Sequence, residues 1–187
     1  MSVSLQKGQK VSLSKENPGL SRIVVGLGWD EAQPSKSGGF FGALFSAPTQ
    51  PIDCDASAFL LKNGRLTESK DIVYFGNLTH YTRAVQHMGD NLTGAGEGDD
   101  EQIVIVVNIY SAYKRNQHFG MIRNAFIRIV NAGNGQEMLK YNLTENYSGM
   151  TAMIFGEIYR YNGEWKFAAV GSGTNDGSIS ALAKRYQ

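Results

Sequence analysis

The chain has 187 residues, 42% hydrophobic and 19% charged, so it is long enough for one packed domain and too apolar for a disordered one. Glycine is abundant at 22 residues while proline is scarce at 4, with no triplet period, which excludes a collagen-like chain and asks for many tight turns. The net charge of +1 conceals 12 acids against 9 bases up to residue 101 and 5 acids against 9 bases beyond it; a near-neutral chain lacks the broad basic field of a nucleic-acid binder.

Residues 21–28 (SRIVVGLG) are rich in β-branched side chains and read as a strand closed by Trp29 and Asp30. Residues 33–51 hold three prolines, three glycines and no acid, and read as a loop insertion. This loop also holds Phe40, Phe41, Leu44 and Phe45, so it is expected to fold over a core edge or touch a partner. Residues 53–61 (DCDASAFLL) read as a strand beginning at Asp53, and 72–75 (IVYF) as another. Residues 101–110 (EQIVIVVNIY) are the strongest apolar run, without Gly or Pro, and predict a central buried strand.

Further strands are predicted over 125–130, 137–143, 152–161 and 165–170. Asn162-Gly163 lies between the last two, a strong hairpin signal. Only 178–186 (SISALAKRY) reads as a helix, with Ser178 as its N-cap. Many short strands and one terminal helix predict a mainly β fold, an antiparallel β-sandwich spanning 1–187 as a single domain.

Between the 81–88 segment and the strongest strand lies GDNLTGAGEGDDE, residues 89–101. Asp90, Glu97, Asp99, Asp100 and Glu101 crowd five carboxylates into twelve residues without a Lys or Arg. Carboxylates repel phosphate, so this is not a phosphate loop. An EF-hand needs oxygen side chains where Leu92 and Gly94 stand, and helices on both sides. A calcium site of another design fits. Calcium takes six to eight oxygens from carboxylates, amides and carbonyls, and glycine lets a loop curl its carbonyls inward. Asp90, Asn91, Thr93, Asp99, Asp100 and Glu101 offer oxygen side chains, with Gly94 and Gly96 as carbonyl candidates. Asp53 and Asp55 are two apart and on a strand point the same way. A solvated acidic turn remains the alternative. Magnesium fits less well, since it keeps more of its own water.

GLGWD at 26–30, DCDASAFLL at 53–61, IVYFGNL at 72–78 and GDNLTGAGEGDDEQI at 89–103 together resemble the TerD family of bacterial tellurite-resistance and stress-response proteins. HFGMIRNAFIRI at 118–129 and residues 141–173 continue the likeness over nearly the whole chain. The resemblance implies a β-sandwich holding about two calcium ions in clustered acidic loops. It makes Asp90, Asn91, Asp99, Asp100 and Glu101 ligands, with Asp30, Asp53 and Asp55 as contributors. It also implies other stress-response proteins as partners, with the inner face of the membrane as a place of contact. No nucleic acid and no small-molecule substrate are expected.

His80, His87 and His118 sit in no catalytic spacing, and each reads as a surface or packed residue. Cys54, flanked by two carboxylates, is a poor nucleophile, and one cysteine makes neither an internal disulfide nor a cysteine-rich zinc site. The expected protein is therefore not an enzyme; a metal-dependent phosphoesterase or related hydrolase is the alternative. No run approaches the ~18 apolar residues of a membrane span. The first residues lack a basic segment followed by an apolar one, so a cytoplasmic protein is expected. The N-x-S/T triplets at Asn77, Asn91, Asn142 and Asn146 then read as turn chemistry.

Overall fold

The apolar run at 101–110 becomes strand β8 (Gln102–Ile109), and its neighbours explain why it is apolar at nearly every position. Ile105, Val107 and Ile109 face the core between two sheets, while Val104 and Val106 face outward beneath the C-terminal helix. A strand covered on both faces has no alternation to show. The computed structural model describes residues 2–31, 50–89, 91–95 and 102–187. Within them two six-stranded sheets pack face to face.

The first sheet runs in the order β1 (Val3–Leu5), β10 (Glu137–Asn142), β9 (Ile122–Asn131), β3 (Arg22–Glu31), β7 (Asn91–Ala95) and β6 (Val85–His87). The second runs β2 (Lys10–Ser12), β12 (Glu164–Thr174), β11 (Ala152–Tyr161), β8, β4 (Cys54–Leu61) and β5 (Ile72–Val73). The fold is the mainly β sandwich that the sequence predicts, with one departure from antiparallel pairing: β1 runs parallel to β10. Phe155, Phe167, Ile105, Ile127, Ile129, Leu92 and Leu13 fill the space between the sheets and are essentially inaccessible. Burying each such side chain contributes roughly 1.5–3 kcal/mol.

A second cluster, Phe59, Leu61, Leu66, Ile72, Val104, Val106 and Ala152, lies on the outer face of the second sheet. Helix α2 (Ile179–Ala183) closes it with Leu182 and Ala183. The helix begins as its sequence suggests: Ser178 is extended, and its Oγ accepts a hydrogen bond from the Ala181 amide at 3.1 Å. It continues as a 3-10 turn over Lys184–Tyr186, whose Tyr186 ring meets Phe59 edge-on.

The predicted hairpin joins β11 to β12. Asn162 and Gly163 both have positive φ, 52° and 76°, which matches the twist of the flanking strands. Strand β11 shifts register between Ile154 and Gly156 against both β8 and β12. A Cβ on Gly156 would come within 2.5 Å of the buried Phe167 ring, so glycine is the residue that fits there.

The strand predicted over 72–75 stops at Val73, because Tyr74 and Asn77 exchange backbone hydrogen bonds and fold Phe75-Gly76 into a tight turn. Asn91–Ala95, read in the sequence as loop, forms β7 and pairs with β3 and β6. A four-residue helix, α1 (Ala112–Arg115), follows β8; Ser111 and Asn116 at its ends both have positive φ, and it is too short to show helical periodicity.

Candidate functional site

Strand alternation decides which oxygen-bearing side chains meet. On β4, Cys54, Ala56, Ala58 and Leu60 face the inner core, and Phe59 and Leu61 face outward. Asp55 therefore lies on the outer face, and Asp53, just before the strand, continues the same spacing. On β8 the outward set is Val104, Val106 and then Asn108. The register places Asp55 directly opposite Asn108, with Ala152 of β11 on the other side of Asn108. The Tyr110 amide donates to the Asp53 carbonyl at 2.8 Å, which continues the pairing past the end of β8.

Asp53 is exposed and Asp55 half-buried. Burial pushes the Asp55 carboxyl above the ordinary carboxylate range, and the charge of Asp53 pushes the same way; His87 opposes them. The two carboxylates are thus close enough to repel. Asn108 is buried, and its Oδ1 has no hydrogen-bond partner.

His87 on β6 spans the gap between the sheets. Its Nε2 lies 3.0 Å from the carbonyl of Ala56, so that nitrogen carries the proton and donates. Its Nδ1 is buried without a partner. Gln117 follows α1; its Nε2 donates to the Gln50 carbonyl at 2.8 Å, and its Oε1 is a third partnerless buried atom. Asp30 lies near the end of β3 in the other sheet, where its Oδ2 accepts from Asn124 Nδ2 at 2.8 Å. The adjacent Glu31 carboxylate accepts from the Ile52 amide at 2.8 Å and ties the end of β3 to the approach to β4.

The structure thus joins Asp53 with Asp55 and gives Asp30 a separate partner in the other sheet. Among the described residues, no group of three or more His, Cys, Asp or Glu side chains could hold a metal. Asn91 and Gly94 lie in β7, where Gly94 pairs with Ile23 on one side and Val85 on the other. Asp90, Gly96, Asp99, Asp100 and Glu101 lie outside the described residues, as do residues 33–49 of the expected loop.

Asn108, His87 and Gln117 were not among the ligands expected from the sequence. For Asn108 a signal existed: it is the one polar side chain between Ile103 and Ile109, two residues past Val106, and therefore on the Val104–Val106 face. For His87 and Gln117 the signal is tertiary, since their partners are 31 and 67 residues away.

The other two histidines have local structural tasks. His80 is fully buried, with Nδ1 2.7 Å from Thr82 Oγ1 and Nε2 3.4 Å from the buried Asp71 carboxylate. His118 accepts the Gly120 amide through Nδ1 at 3.1 Å and caps a 3-10 turn. Among the described residues no helix is long and apolar enough to cross a membrane.

The TerD domain matches residues 1–186. The chain is 52% identical to the stress response protein SCP2 of Bacillus subtilis (strain 168), over the full length of both. It is 45% identical to the tellurium resistance protein TerD of Serratia marcescens, covering 98% of this chain and 97% of that one. General stress protein 16U of Bacillus subtilis (strain 168) is 43% identical, over 100% of this chain and 97% of its own. Among solved structures, that of SAV2460, a protein of unknown function, superposes with a TM-score of 0.58 at 18% identity, over 88% of this chain and 95% of the other. At that identity the likeness speaks for the fold alone.

Proposed function

The chain belongs to the TerD family, and from that premise we propose that it is a calcium-binding, non-catalytic protein of the stress-response and tellurite-resistance type. The observation that carries the calcium reading is the Asp53–Asp55 pair on the outer face of the second sheet, with the partnerless oxygen of Asn108 in the same row. Carboxylate and amide oxygens are the donors a hard cation takes, and a divalent ion between two repelling carboxylates removes the repulsion. In this reading Asp53 and Asp55 hold one edge of the ion's shell. Asp90, Asn91, Asp99, Asp100 and Glu101, with carbonyls of Gly94 and Gly96, supply further ligands, and Asp30 contributes from the end of β3. About two ions bind.

With calcium bound, the acidic loops present a surface to other stress-response proteins in the cytoplasm, including at the inner face of the membrane. The names of the relatives support the non-catalytic reading, since they denote resistance and stress proteins. The test is calorimetric titration of calcium into chelator-stripped protein, with melting curves in parallel. A ligand bound only by the folded state stabilises it by RT ln(1 + [L]/Kd), about 2.7 kcal/mol at a hundredfold excess over Kd. Calcium is expected to release or absorb heat, raise the melting temperature and outcompete equimolar magnesium. Absence of heat together with an unchanged melting curve at millimolar calcium overturns the proposal.

A further inference from the structure

Resting on the calcium reading, we propose that Asn108 is itself a ligand: its Oδ1 adds an oxygen to the edge of the cation shell held by Asp53 and Asp55. Three observations lead there. Asn108 is 6% exposed, and its Oδ1 is among the few buried side-chain oxygens without a donor. A buried carbonyl oxygen in a folded protein is normally satisfied, by a donor, a water or an ion. Its flanking positions in the sheet supply no side-chain donor: Ala152 on β11 has none, and Asp55 on β4 presents a carboxyl.

Directly opposed residues of an antiparallel pair have Cβ atoms about 4.5–5.5 Å apart. The Asn108 amide and the Asp55 carboxylate therefore occupy one patch, with Asp53 one strand step further on. The Asn108 Oδ1 and the two carboxylates are all acceptors, and acceptor oxygens crowded in this way form a site for positive charge. The chemical type matters as well. Asp53 and Asp55 already repel, and a third carboxylate in a buried position would raise the cost of the empty site. A carboxamide adds a hard oxygen and no charge. Asn108 thus lowers the repulsion of the ion-free state at some loss of attraction for the ion. Strand β8 is buried on both faces and paired on both sides, so the ligand stands on a support held from every direction.

Two substitutions in the full chain test this, Asn108→Leu and Asn108→Asp, each compared with the wild type by calcium titration and by melting with calcium and with chelator. Asn108→Leu keeps the side-chain size and removes the oxygen; its calcium affinity is expected to fall tenfold or more, with an unchanged circular dichroism spectrum. Asn108→Asp is expected to melt lower than wild type in chelator and to show a larger calcium-induced rise. A residue with a packing role alone would not produce that larger rise. If the wild type binds calcium and both variants bind it within twofold of the wild type, Asn108 is not a ligand while the calcium reading stands. If the wild type itself binds none, both fall. Should Asn108→Leu fail to fold, Asn108→Asp decides alone: a calcium-induced rise no larger than the wild type's overturns the proposal.

Discussion

Gly156→Ala changes one hydrogen to a methyl at the point where β11 shifts register against both neighbours. The added Cβ would lie 2.5 Å from Phe167 Cζ, 2.7 Å from its Cε2 and 2.9 Å from the Ala168 carbonyl oxygen. Phe167 is fully buried, and the carbonyl belongs to the paired strand β12. Neither can give way cheaply, so the substitution is expected at the upper end of the overpacking range, about 2–3 kcal/mol. For a domain of this size each kcal/mol moves the melting temperature by about 2–4 °C, which gives a fall of about 4–12 °C. Urea titration should show a lower midpoint with an unchanged slope, the mark of lost stability without a changed unfolded state. In a Phe167→Leu background the same methyl should cost less, because the ring it meets is gone; the two sites should couple by about 0.5–3 kcal/mol. A Gly156→Ala protein within ~0.5 kcal/mol of wild type, a value typical of neutral surface changes, would refute the steric argument. The position also bears on the candidate site, because the offset at Gly156 sets the pairing that brings Ala152 alongside Asn108.

Burial and the charge of Glu157 raise the Tyr186 phenol to about 12, so the folded state holds that proton more tightly than the unfolded chain. The stability this gives is complete below pH ~10, the ordinary tyrosine value, and is lost as pH rises through about 12. Tyr186→Phe should therefore lose less stability than wild type between these pH values, and parallel urea midpoints for the two proteins would refute the assignment. The Asp55 carboxyl is raised by burial and by Asp53, so the ion-free protein should gain stability as pH falls through that raised value and lose it as pH climbs back. Asp55→Asn should melt no lower than wild type in chelator at pH 7 while its calcium-induced rise shrinks; a lower melt with an undiminished rise would count against both roles. Asp99→Ala and Asp100→Ala should each reduce the calcium-induced rise, whereas Asp176→Ala, which loses an ion pair to Arg185, should melt lower and keep it. The opposite pattern in the three melting curves would place the metal elsewhere.

Patterns that depend on one strand or one turn could be read from the sequence. The hairpin at Asn162-Gly163 follows from the two residues that tolerate positive φ most readily, and the α2 cap from Ser178 alone. The short edge strands β1, β2 and β6 could not be read in the same way. Three residues carry no period, and the state of Lys10–Ser12 is set by pairing with β12, more than a hundred positions away. The parallel pairing of β1 with β10 is of the same kind, since nothing in Val3–Leu5 specifies direction. The turn at Phe75-Gly76 was hidden for a different reason. Ile72 through Phe75 are all good strand formers, and the chain turns because Asn77 Nδ2 reaches back to the Ile72 carbonyl at 2.7 Å.

For the candidate site, spacing in the sequence supplies the donors and the register supplies the company they keep. Asp53 and Asp55 announce a shared direction by their separation of two, which holds on any strand. That Asn108 faces them requires knowing that β4 and β8 are neighbours and that Asp55 aligns with Asn108 rather than with Val107 or Ile109. A slip of one residue would turn Asn108 into the inner core and put an apolar side chain opposite the carboxylates. The register is held by the alternation of Ala56, Ala58 and Leu60 inward with Phe59 and Leu61 outward, matched by Ile105, Val107 and Ile109 inward with Val104 and Val106 outward. The same burial that fixes the fold therefore fixes the oxygen row. A substitution that weakens either cluster should loosen the candidate site even when it touches none of the oxygens. Leu182→Ala, under the outer cluster, is the variant in which that coupling would be measured as a loss of calcium affinity beside the loss of stability.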